Sequence, residues 1–153
     1  MTDFRGRLRL SGREIDGNLQ IPKALRRVKG IGNNLADSMS KIIISSIKVP
    51  TTEKIGNLDD KQIKIIESII ADPIKFGLPT HLLNRRKEYY TGQNMHLVGS
   101  DLDFRIKQDK QFQMALKSYK GVRYPLGLAV RGQRTKTQGR KGKTMGVQRK
   151  KKR

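Results

Sequence analysis

Apolar positions recur along the chain with two periods, and these set the expected elements. Phe4-Arg-Gly-Arg-Leu-Arg-Leu10 alternates apolar and basic residues, the period of a half-buried strand. Asp16-Gly17 lies between Glu14-Ile15 and Leu19-Gln20-Ile21, so a β-hairpin is expected to turn there. Arg5, Arg7 and Arg9 then share one strand face, either as a binding row or as plain solvated surface. From Pro22 the period lengthens to that of a helix. Pro22 suits a first turn, Leu25 and Val28 form a short buried stripe, and Gly30-Ile31-Gly32 breaks it with Ile31 anchored in the core. A second helix carries Leu35, Ala36, Met39, Ile42, Ile43 and Ile47 inward and is closed by Pro50. Asp59 and Gln62 form a capping-box pattern ahead of Ile63, Ile66, Ile69 and Ile70, and this third helix stops before Asp72-Pro73.

Residues 72–100 are less regular. Tyr89-Tyr90 and Met95–Val98 flank Thr91–Asn94, a pattern for a second small hairpin. Ser100 and Asp103 suit a helix start, and Leu102, Ile106, Phe112, Leu116 and Tyr119 run along one long final helix that Gly121 is expected to end. The fold class that follows is mainly α: a small helical body (residues 1–120) with a helix, glycine turn, helix unit, short β-hairpins and one long helix. An extended basic C-terminal tail (residues 121–153) completes it.

Charge turns this outline into a functional expectation. The 153 residues hold 34 Lys and Arg against 13 Asp and Glu, a net +21. Residues 120–153 contribute 13 basic residues, six glycines and no acid, and residues 1–119 only a net +8. A compact domain with that excess repels itself unless a partner supplies negative charge, and nucleic acid is the densest source. The segment cannot bury enough apolar surface to offset its chain entropy, so it is expected to be disordered alone and to order on phosphates. An anionic membrane is the weaker partner, because the basic stretches lack an amphipathic aromatic and leucine face and no apolar run is long enough to span a bilayer. No secretory signal is read at Met1–Arg5, and cysteine is absent, which removes disulfides and thiolate metal sites. A soluble intracellular protein is the expectation.

Catalytic chemistry finds no support. His81 and His96 lie apart without clustered acids, so partly buried or surface histidine is the expectation and neither metal nor cofactor is called for. Asp101 and Asp103 suit a helix N-terminus, and no nucleophile motif, phosphate-binding loop or dinucleotide fingerprint appears. The candidate chemistry is nucleic-acid binding. Arg123, Arg131, Arg134, Lys136, Arg140, Lys141 and Lys143 are interleaved with Gly, Thr and Gln, which allows close backbone approach and bidentate arginine contacts to phosphate. Irregular spacing favours an extended strand in folded RNA over a groove-reading helix. Tyr119 and Tyr124 offer faces for stacking or for packing at the helix end. The terminal Gln148–Arg153 run fits phosphate binding, a nuclear signal or neither.

Val130-Arg-Gly-Gln-Arg-Thr-Lys-Thr-Gln-Gly-Arg-Lys-Gly-Lys-Thr144 resembles the tail signature of the ribosomal protein S-thirteen family, with Arg131–Thr135 the most specific part. Tyr119–Leu128 is similar to the approach to that core, and Lys29-Gly-Ile-Gly32 to the family's helix-two-turn-helix motif. The segment around residues 72–100, including Asn84–Gly92 and His96-Leu97, resembles archaeal and eukaryotic-type members. The family usually has histidine where Tyr124 stands and proline where Ala129 stands; neither change removes a charge. The resemblance implies a non-enzymatic, cytoplasmic component of the small-subunit head. It would bind the 3′ major domain of the small-subunit rRNA, neighbour ribosomal protein S-nineteen, reach ribosomal protein L-five of the large subunit at a bridge, and point its tail at P-site tRNA. Carried over by position, Arg131, Gln133, Arg134, Thr135, Lys136 and Arg140 would contact rRNA. Lys29, Gly30 and Gly32 would shape a phosphate-presenting turn. Arg149, Lys150, Lys151, Lys152 and Arg153 would lie nearest tRNA. Two rivals stand beside this reading. A DNA-repair glycosylase with the same helical motif needs a Pro-Glu N-terminus and usually a four-cysteine zinc finger, and a DNA packager leaves residues 131–135 unexplained.

Overall fold

The computed structural model describes residues 4–50 and 52–136, and these fall into two units that divide between Arg105 and Ile106. The first unit opens with β1 (Arg7–Leu10) and β2 (Arg13–Asp16), an antiparallel pair with Leu10 opposite Arg13. Leu8, Leu10 and Ile15 point inward while Arg7 and Arg9 stay exposed, so the alternation of the sequence is realised.

The turn lies elsewhere than expected. Ser11 and Gly12 make it, with φ of 47° and 81°. Two consecutive positive φ values give the primed two-residue turn that matches strand twist. Asp16-Gly17 instead ends β2. Asp16 accepts a hydrogen bond from the Asn18 N–H (3.0 Å), and Gly17 lets two backbones cross, since a Cβ there would stand 1.9 Å from the Arg5 carbonyl oxygen. Close approach, not a turn, is therefore the reason for glycine at this position.

Helix α1 (Ile21–Leu25) has Pro22 in its first turn as the proline rule allows, and α2 (Asn33–Ile47) follows the glycine turn. Leu35, Ala36, Met39 and Ile43 of α2 are buried, Ile42 and Ile47 pack at the edge of the core, and Lys48 closes the helix in the left-handed region (φ 58°). Helix α3 (Asp60–Ala71) starts from the anticipated capping box, whose Gln62 side chain accepts from the Asp59 N–H (3.0 Å), and buries Ile66, Ile69 and Ile70. With the hairpin and α1 these helices enclose one apolar core that also takes Ile55, Leu58, Leu78 and Leu83.

The segment 72–98 forms no second hairpin of the expected register. Met95 pairs with Arg85 in a single antiparallel bridge, not with the tyrosines. Tyr89 and Tyr90 sit in the turn itself, which is closed by hydrogen bonds from Gly92 N–H to the Glu88 carbonyl (2.7 Å) and from Glu88 N–H to the Gln93 carbonyl (2.9 Å).

Helix α4 (Gly99–Ala115) is shorter than expected and buries no side chain. Lys117 (φ 51°) turns the chain and the Ser118 hydroxyl caps a separate helix, α5 (Tyr119–Arg123), by accepting from the Gly121 N–H. Ile106, Leu116 and Tyr119 are exposed, so they are no core stripe. Gly121 does not end a helix either. It is buried inside α5, where a Cβ would stand 2.1 Å from the Gln113 carbonyl oxygen, and only glycine admits that approach. Residues 124–136 are turns and irregular chain. No described helix is long and apolar enough to cross a membrane.

Candidate nucleic-acid interface

The α1–α2 turn brings Lys29, Gly30 and Gly32 together. Gly30 has a φ of 105°, and a Cβ on it would meet the Leu97 carbonyl oxygen at 2.7 Å, so both conformation and packing exclude a side chain. Ile31 is buried beneath the turn as expected. Gly32 is the N-cap residue of α2 and supplies no side-chain cap, so the first N–H groups of α2 keep the unsatisfied, partly positive character of a helix start. The Lys29 ammonium is ion-paired with Asp103 on the exposed surface, and the Gly99 N–H donates to the Lys29 carbonyl (2.8 Å). The Asp103 contact costs little to exchange for phosphate, because exposed pairs contribute at most about 1 kcal/mol.

Beside that turn is a cavity of about 490 Å³ lined by Gly30, Gly32, Asn33, Asn34, His81 and His96. Sequence reasoning gave His96 no role here. It is buried, and its Nδ1 accepts a long hydrogen bond from the Asn84 N–H (3.4 Å), so the neutral ring carries its proton on Nε2. Burial holds the imidazole below the usual histidine range, which keeps it neutral. Nε2 is buried with no hydrogen-bond partner among the described residues. Leaving such a donor unpaired costs about 1–3 kcal/mol. The sequence signal was the place of His96-Leu97 in the family resemblance of residues 72–100, which assigns the ring no role.

The second unit carries the other described candidates. Arg131, Gln133, Arg134, Thr135 and Lys136 are all exposed and in irregular chain, and the sequence contains no acid after Asp109. Arg123 is partly occupied inside its own unit. Its Nε donates to the Ala129 carbonyl (3.1 Å) and its guanidinium lies 5.7 Å from the Tyr119 ring centroid, so it braces the turn leading to residue 131. Arg140, Lys141, Lys143, Arg149, Lys150, Lys151, Lys152 and Arg153 lie outside the described residues, as does half of the segment expected to be disordered alone.

A family described as Ribosomal protein S13/S18 matches residues 9–141. The small ribosomal subunit protein uS13 of Saccharolobus solfataricus is 45% identical over 97% of this chain and 87% of its own length. The protein of the same name from Staphylothermus marinus is 42% identical over 97% of this chain and 95% of its own. That from Methanothermobacter thermautotrophicus is 40% identical over 97% of each. These relatives are archaeal, in keeping with the resemblance seen in residues 72–100. The family is one of structural, non-enzymatic ribosomal proteins, which removes the DNA-repair alternative. An exposed acid-free arginine run, a glycine-shaped helix pair and near-full-length identity converge: the chain belongs to the Ribosomal protein S13/S18 family.

Proposed function

We propose that this chain is a structural constituent of the small ribosomal subunit head, where it binds the 3′ major domain of the rRNA. The observation that carries this reading is the run Arg131–Lys136, exposed, irregular and followed by no acid. Such a strand contacts phosphates along its length, each contact releasing condensed counterions. The α1–α2 turn supplies a second anchor, with phosphate at the helix start beside Gly30 and Gly32 and Lys29 exchanging Asp103 for it. Functionally the chain divides at residue 120 into a body that docks and a tail that threads. By family likeness the body neighbours ribosomal protein S-nineteen and meets ribosomal protein L-five at an intersubunit bridge, and Arg149–Arg153 lie near P-site tRNA.

Deleting residues 129–153 tests this. Binding of the truncated protein to a fragment of the 3′ major domain should show a flatter salt dependence, each lost phosphate contact removing roughly 0.7–0.9 from the log–log slope. An unchanged slope would assign the electrostatics to the body. Binding of the full chain to duplex DNA as tightly as to rRNA at matched salt would favour a general polyanion binder.

A further inference from the structure

The loop between Asn84 and Met95 keeps two large aromatic side chains in water. Tyr89 and Tyr90 are 77% and 70% exposed, with ring centroids 5.2 Å apart at an interplanar angle of 89°. Exposed tyrosines on a loose loop need no explanation, but this loop is firmly held. The Asn84 side chain donates to the Leu97 carbonyl (2.6 Å) and accepts from the Leu97 N–H (2.9 Å), and the Asn94 side chain accepts from the Lys87 N–H (2.9 Å).

Charge is sorted within the same loop. Glu88 is the single acid between residues 73 and 100, and its side chain is fully buried, held by the Arg85 guanidinium and 3.9 Å from that of Arg105. Burying Glu88 against these arginines leaves only cations outside. Arg86 and Lys87 are exposed, enter no ion pair among the described residues, and line a polar cavity of about 610 Å³ with Asn84 and Asn94. Lys87 sits at a φ of 49°, a strained conformation for a side-chain-bearing residue that the Asn94 hydrogen bond maintains.

Aromatic faces beside unneutralised cations on a preformed loop match one ligand chemistry. A base stacks on an aromatic ring while its flanking phosphates take the cations, as in recognition of unpaired nucleotides. A protein partner fits less well. No acid faces outward here, so docking would require a surface both acidic and aromatic-binding, whereas RNA supplies both features in every nucleotide.

We propose that the 84–95 loop is a second RNA site, taking unpaired bases on Tyr89 or Tyr90 and their phosphates on Arg86 and Lys87. It is separate in sequence from the basic tail and from the α1–α2 turn. It rests on the reading that the chain binds RNA, but specifies unpaired rather than folded RNA and base stacking rather than charge alone.

The test uses the full chain and two probes, an oligoadenylate of about 12 nucleotides and an abasic ribose-phosphate strand with the same number of phosphates. Tyr89→Ala/Tyr90→Ala should weaken the oligoadenylate about tenfold and leave the abasic strand unchanged. Tyr89→Phe/Tyr90→Phe should retain wild-type affinity, since stacking needs the ring and not the hydroxyl. Arg86→Gln/Lys87→Gln should weaken both probes alike. Three outcomes overturn the proposal: alanine variants that bind oligoadenylate like wild type, an equal loss on both probes, or unchanged RNA affinity with lost retention on small subunits. The last would reassign the loop to a protein partner. A full chain that prefers neither RNA probe over duplex DNA would overturn the broader RNA reading as well, which separates the two failures.

Discussion

The two units of this chain are held together by different physics. The first contains every buried large apolar side chain among the described residues, from Leu8 to Leu83. In the second, the only buried described residue is Gly121, and order rests on the helix ladder, the Ser118 cap and a close backbone approach at Gln113. Burial of apolar area at about 25 cal/mol per Å² therefore stabilises the first unit and contributes little to the second. The difference teaches where charge is affordable. A core offsets self-repulsion, so acids and bases can be mixed around it. A segment without one can keep an unbroken run of cations only by giving up internal packing, and that run is then open to phosphate.

The largest expected effect breaks the first unit. Leu25→Ala, fully buried, should cost about 2–5 kcal/mol in urea unfolding, against at most about 0.5 kcal/mol for Leu116→Ala on the exposed second unit. Similar costs at both positions would erase the contrast. Next is Gly121→Ala, where the added Cβ meets the Gln113 carbonyl. About 1–3 kcal/mol of strain should unravel α5 locally, seen as amide shift changes at residues 118–129 with the core resonances unmoved. Spreading of those changes into the first unit would mean that the second is not independently ordered.

A smaller effect concerns pH. His96 has a folded pKa below its ordinary value, so between the two the unfolded chain binds a proton that the folded chain does not. Stability contributed by the neutral ring is therefore full above about pH 6.5 and is lost as pH falls below it. His96→Gln should flatten that slope in unfolding measured from pH 7.5 down to 5, and an unaltered slope would assign it to other groups. The smallest effect is at Asp103→Asn. Freeing Lys29 should steepen the salt dependence of rRNA binding by less than about 1 in the log–log slope. An unchanged slope would mean that Lys29 faces no phosphate.

Local chemistry was legible where it was periodic. The stripes of α2 and α3, the Asp59–Gln62 box, Pro22 at the start of α1 and buried Ile31 all appear as the residues require. Gly17 and Gly121 carry the sequence signal of a turn or a helix end, whereas both are sites where backbone passes close to backbone. The Ser11-Gly12 pair, which directly follows the strand alternation through Leu10, makes the turn instead. Ile106 and Leu116 fell at helical spacing and are exposed, and Leu102 and Phe112 of the same stripe are only half-buried, because spacing fixes which residues share a face and not how deeply that face is covered. Of the candidate site, the cationic run could be read directly, since charge needs no fold to be visible. His96 could not, because its burial and its contact with the Asn84 N–H, 12 positions away in the chain, exist only in the folded protein.

By itself, then, the sequence determined the helical periods, the family signature and the sign and distribution of charge, all of which depend on neighbours within a few residues. The tertiary structure alone decided which glycines admit a crossing chain, which apolar stripe finds a core, and which acid is buried. Glu88 is the clearest case: its burial against Arg85, with Arg105 nearby, is a matter of packing, and it leaves Arg86, Lys87 and two tyrosines as the outward face of that loop.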